Sequence, residues 1–158
     1  MRTEKLRSRD EFEYWLFDMD DAIEAFLDGL PAQIYEKLDF TPASLDILEA
    51  LLLERYPTVE SMLDRYQSLF VDDVARYVGE TLRRTIGGYW DIDLDNLDNA
   101  FFGRPVLAGY MEHATPISPH SLVTAAGHRR IGTFLHTLVE RHVEQVQRAR
   151  AKRGNPAL

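Results

Sequence analysis

The sequence predicts an α+β fold: a mainly helical single domain carrying one small antiparallel β-hairpin. Three observations support that expectation. Long stretches place apolar residues three and four apart, the spacing of one helical face. The doublet Gly87-Gly88 stops the clearest of those stretches. The segment after it, Tyr89-Trp90-Asp91-Ile92-Asp93-Leu94, alternates with period two, as a half-buried strand does. A chain of 158 residues suits one domain over 1–158, with fraying expected at residues 1–8 and 149–158.

The first helix is expected from Asp10 to Leu30. Phe12, Trp15, Leu16, Met19, Ile23, Phe26 and Leu27 fall on one face, and Gly29 and Pro31 break the pattern. Thr41-Pro42 opens a second, short helix through Leu45, Leu48, Leu51 and Leu52, which stops at Tyr56-Pro57. Thr58 opens a third. It runs to Ile86, either unbroken or bent near 69–73, and ends at the glycines, which tolerate the left-handed backbone of a helix stop.

The strand 89–94 turns through Asp95-Asn96-Leu97-Asp98-Asn99 and returns over 100–107, where Pro105 implies an edge or a bulge. A loop at 113–119 precedes a last helix through Leu122, Ile131, Phe134, Leu135, Leu138 and Val146. The expected core is Trp15, Leu16, Phe26, Leu48, Leu52, Leu63, Val74, Leu82, Ile131, Phe134, Leu135 and Leu138.

Composition narrows the function classes. The absence of cysteine excludes disulfides, thiol chemistry and cysteine-ligated zinc. The N-terminal Met1-Arg2-Thr3-Glu4-Lys5 lacks the apolar core of a signal peptide, and no apolar run is long enough for a bilayer span. A soluble, cytoplasmic protein without a membrane partner is expected. The net charge of −8 counts against nucleic acid as a partner.

The charge is uneven. Residues 10–28 hold eight acids and no Lys or Arg, whereas residues 129–153 hold seven Lys or Arg against two Glu. The basic tail suits a solvated helix end. The exposed acids Asp20, Asp21 and Glu24 are the candidate surface for a protein partner of basic character.

The chemistry-bearing motifs point to binding more than to catalysis. Alternate aspartates at 91, 93 and 95 fail the calcium-loop pattern at its sixth and twelfth positions, which are Asn96 and Phe102. The five histidines lack metal-ligand spacing, so neither a metal nor a cofactor is expected; His113 and His120 flank a loop that could edge a site. No serine stands in a nucleophile elbow and no phosphate loop occurs. Glu80 beside Arg83 and Arg84 reads first as an ordinary helix ion pair. An alternative groups Glu80, Arg83, Trp90, Arg129 and Arg130 around the Gly87-Gly88 turn as a cleft for a small anionic ligand, or an enzyme site.

The run Tyr77-x-Gly79-Glu80-x-x-Arg83-x-x-x-Gly87-Gly88-x-Trp90 resembles a pattern of uncharacterised bacterial proteins, together with Thr41-Pro42-Ala43-Ser44-Leu45-Asp46 and Arg129-Arg130-Ile131-Gly132. Some proteins with similar segments look like accessory or immunity components beside toxin systems. The resemblance implies a non-catalytic interaction protein and transfers no site residue.

Overall fold

One helix, fully enclosed along its middle, organises the molecule. The computed structural model describes residues 5–154. Its elements are α1 (Arg9–Phe17), α2 (Met19–Asp28), α3 (Ala32–Tyr35), α4 (Ser44–Arg55), α5 (Val59–Met62), a 3-10 turn (Arg65–Gln67), α6 (Ser68–Ile86), β1 (Tyr89–Asp91), β2 (Val106–Ala108), α7 (Pro119–Arg129) and α8 (Phe134–Lys152). Helix α6 packs against α2, α7, α8 and β2. The expected fold class stands: a mainly helical domain with a single two-stranded antiparallel sheet among the described residues.

Each of the three long helices expected from periodicity is divided, and each division has a polar cause. In the first, Asp18 separates α1 from α2, although Phe12, Trp15, Met19, Ile23 and Phe26 keep the expected buried face. There the Trp15 carbonyl accepts a bond of 2.8 Å from Arg76 Nη1, and an inserted side-chain donor interrupts the helical ladder. In the second, Thr58 and Ser61 form a capping box on α5, and the Asp64 carboxylate takes the Tyr66 N–H at 2.8 Å. These local caps compete with helix continuation, so the break falls at 63–67.

In the third, α7 ends with Arg130 in the left-handed region (φ 56°). Helix α8 restarts with its Phe134 and Leu135 N–H groups held by the Glu49 carboxylate at 3.2 and 2.9 Å. Ile131, expected in the core, sits in this connection and is 59% exposed. Leu16, Leu63 and Phe134 are half-buried against the core, and Leu138 is half-buried, while the remaining expected core residues are buried.

The hairpin is shorter than expected. Its register pairs Tyr89 with Ala108, Trp90 with Leu107 and Asp91 with Val106. Leu107 bonds on its other side to Ile117, so the 113–119 loop contributes a third extended segment and Pro105 merely precedes the strand. The aspartate-rich turn is organised by Asp93, whose carboxylate accepts from the Asp95 and Asn96 N–H groups at 2.9 and 3.0 Å and from Asn99 Nδ2 at 2.8 Å. Leu6 N–H donates to Gly103 O at 2.8 Å and Ser8 caps α1; of the ends expected to fray, residues 1–4 and 155–158 lie outside the described residues.

The motif Y-x-G-E-x-x-R-x-x-x-G-G-x-W is a packing device. A Cβ at Gly79 would fall on the edge of the Trp90 ring, with Pro119 on its other side at 3.1 Å. Glycine therefore opens a notch in α6 that the indole fills. Trp90 Nε1 then donates to Glu80 Oε2 at 3.1 Å. The ring is thus held by a hydrogen bond at its nitrogen and by the Gly79 notch at its benzo edge. Gly79→Ala should cost about 1–3 kcal/mol from overpacking, read as a lowered urea midpoint. Gly29→Ala, at a negative φ of −78° and with no atom nearer than 3.5 Å to an added Cβ, should cost less. Equal losses at the two positions would show that the notch is not the cause.

Candidate functional site

A half-buried carboxylate joins three elements at one side of α6. Asp72, in the second turn of α6, accepts from Trp15 Nε1 of α1 at 3.1 and 3.3 Å, from Arg76 Nε at 3.0 Å and from His120 Nε2 of α7 at 2.8 Å. Burial works to raise the Asp72 carboxyl, but His120 and Arg76 together outweigh it and hold the group below the ordinary carboxylate value. An ionised carboxylate only accepts, so Nε2 of His120 carries the proton. Its Nδ1 is buried with no hydrogen-bond partner.

The neighbouring carboxylate behaves oppositely. Burial, then Asp72, push the Asp73 carboxyl up from 3.8 to about 6; Arg76 opposes and Asp18 adds to the rise. The folded protein therefore holds this proton more tightly than the unfolded chain does. The stability it contributes is fully present below about pH 3.8 and is lost as pH rises through about 6.

One hollow opens on this network and a second lies beside it. A recess of about 250 Å³ is bordered by Leu6, Trp15, Leu69, Asp72, Pro105 and His120. A larger cleft of about 1030 Å³ lies along α7, whose Ser121, Thr124, Ala125 and His128 fall on one face at helical spacing. Lys5, Arg104 and Arg129 complete its polar lining, and no carboxylate is among the described lining residues. Arg104 borders both hollows, and the pairs Val71/Asp72 and His120/Ser121 place them side by side. Lys5 Nζ lies 5.6 Å from the centre of the Phe102 ring and the Arg129 guanidinium 5.1 Å from that of Phe134, so both cations rest on aromatic faces at the rim.

The residues nominated from sequence divide among different settings. Glu80, Arg83 and Trp90 meet: Glu80 accepts from Arg83 Nε at 2.7 Å and Nη2 at 3.0 Å as well as from Trp90. Glu80 is only 3% exposed, so the expected surface ion pair is a half-buried one. Burial raises its carboxyl, yet Arg83 and Trp90 outweigh that and keep it below its ordinary value.

Arg130 is elsewhere, donating to the Tyr56 and Leu53 carbonyls at 2.9 and 3.1 Å at the end of α4. Arg129 alone of the five lines the large cleft. Asp20, Asp21 and Glu24 are exposed on α2, and Asp20 and Glu24 border a groove of about 370 Å³ with Leu27, Phe40 and Arg84. His113 is solvent-exposed beside Glu112, whereas His120 is buried.

Sequence reading missed Asp72, Arg76, Lys5 and Arg104. Asp72 and Arg76 stand four apart, a signal shared with any helix ion pair, and nothing local marks their burial. No group of three His, Asp or Glu with metal-holding geometry occurs among the described residues. No protein-family model matches the chain, and no curated protein or solved structure does.

Adjacent substitutions should separate in sign. Asp72→Asn leaves Arg76 buried without its charge partner and should cost about 2–4 kcal/mol at pH 7. Asp73→Asn should raise stability at pH 7 by on the order of 1 kcal/mol, after allowance for solvent screening, and flatten the decline between pH 4 and 6.5. Urea unfolding across that pH range measures both. Destabilisation by Asp73→Asn at pH 7 would contradict the assignment.

Proposed function

We propose that this protein is a non-catalytic binding protein whose ligand is a small anion held in the cleft along α7. One observation supports the reading most: the Lys5 and Arg129 cations, with His128 beside them, line a cleft of about 1030 Å³ in a chain of net charge −8. Such local reversal of sign is the pattern expected of a charge-selective site, because a cleft with low-dielectric walls focuses its own field. The Ser121 and Thr124 side chains add hydroxyls to the same wall. The cleft differs in place from the one expected around Gly87-Gly88, where Glu80 is already committed to Arg83 and Trp90.

A second reading keeps the acidic face of α2 as a surface for a basic protein partner, in line with the resemblance to accessory and immunity-like proteins. Asp20, Glu24 and Asp28 stand at four-residue spacing along the groove that Phe40 and Arg84 close. No helix among the described residues is long and apolar enough to cross a membrane. A cytoplasmic setting belongs to the same proposal.

Inorganic phosphate should raise the melting temperature in a concentration-dependent way and bind measurably by calorimetry. The double change Lys5→Glu/Arg129→Glu should weaken that binding at least about tenfold. Reversing Asp20, Asp21 and Glu24 to lysine should leave it unchanged. Absence of any phosphate effect at about 10 mM would overturn the anion reading. Under the second reading, the reversed α2 face instead loses a basic partner that the wild-type chain captures; undiminished capture would end it.

A further inference from the structure

Resting on the anion reading of the α7 cleft, we infer that the ligand is an amphiphilic organic anion, with its charged head in the cleft and a flat apolar body in the adjoining recess. The recess differs in character from the cleft. Leu6, Trp15, Leu69 and Pro105 supply apolar surface, and Asp72 at its floor is already occupied by Trp15, Arg76 and His120. The carboxylate therefore asks no further hydrogen bond of a ligand body seated there, and Ser68 and Arg104 supply the polar part of the border.

The volume of about 250 Å³ lies just under the range of drug-sized pockets and suits one small ring system. Leu69 gives the second indication. It stands at the start of α6 on the rim of this recess and is 74% exposed, a large apolar side chain left unburied by the fold. An apolar ligand body would cover it. Arg104 borders both hollows, and the neighbouring pairs Val71/Asp72 and His120/Ser121 set them side by side, within reach of one molecule.

Calorimetry with three probes tests this: inorganic phosphate, 1-naphthyl phosphate and neutral 1-naphthol. Naphthyl phosphate should bind at least about tenfold more tightly than phosphate, and naphthol more weakly than naphthyl phosphate. Leu69→Ser, at an exposed position that the fold does not need, should remove most of that advantage and leave phosphate affinity unchanged. The chain has two tryptophans, so indole N–H resonances report the place directly. The Trp15 signal should move with naphthyl phosphate and stay with phosphate. Equal affinities for the two phosphates, or naphthol binding as tightly as naphthyl phosphate, would overturn the inference while leaving the anion site standing. Failure of both phosphates to bind would remove the site itself and the inference with it.

Discussion

Nine consecutive residues of α6, Val74–Leu82, are buried, and two of them carry charge. A helix enclosed on every side normally reads as apolar all round. Here Arg76 and Glu80 are 4% and 3% exposed, so each must be met by partners from outside the helix as well as within it. That requirement fixes much of the tertiary structure. Arg76 reaches the Trp15 carbonyl and thereby sets the break between α1 and α2. Glu80 draws the Trp90 indole into the Gly79 notch and so fixes where β1 leaves the helix. Tyr77, fully buried, accepts the Phe40 N–H at 2.8 Å and meets the Ser44 hydroxyl at 2.8 Å, which holds the approach to α4. Replacing such groups with apolar ones could prove neutral in stability, so their contribution is best read as specifying which elements meet.

Helix α4 provides the second brace, again through polar termini. Glu49 is completely buried and satisfies the first N–H groups of α8, where the helix dipole also favours a negative charge. Arg130, from the left-handed residue that ends α7, satisfies the last carbonyls of α4. His136 adds a bond of 3.0 Å to Asp46, which raises the imidazole above its ordinary value. The α7–α8 connection is thus held at both sides by α4. It need not bury Ile131 to be well defined.

This division explains what could be read from the chain. Apolar spacing located the helical faces correctly, because burial of Phe12 through Phe26 or Leu45 through Leu52 is a property of the local pattern. The Gly87-Gly88 stop and the hairpin were legible for the same reason: positive φ and period-two alternation are local demands. The helix breaks were not. Each depends on a partner distant in the chain or on a cap competing with the helix, as Arg76 acts 61 residues away on Trp15 and Glu49 acts 85 residues away on Phe134. Charged side chains in mid-helix look alike whether solvated or enclosed, so Glu80 read as a surface pair and Asp72 as nothing at all.

The same logic separates the conspicuous motif from the candidate site. The Tyr77–Trp90 run gathers a carboxylate, two guanidiniums and aromatic rings, yet its carboxylate is already committed to Arg83 and Trp90 and its indole fills the notch. Groups so committed are poor ligands for anything else, because binding would first have to break buried charge-assisted bonds. The cleft along α7 is built, Arg129 apart, from residues with no sequence signature, brought together by two long-range events: Leu6 pairing with Gly103 carries Lys5 to the rim, and α7 packing on α6 presents His128 and Arg129. The two regions remain mechanically linked. Trp90 meets Trp15 edge-to-face with ring centres 5.0 Å apart, and Trp15 holds Asp72 under the recess. The motif therefore serves the site as its foundation: loosening the notch would shift the indole that forms the recess wall, while the cations of the cleft, mounted on α7 and the N-terminal segment, could vary without disturbing the core.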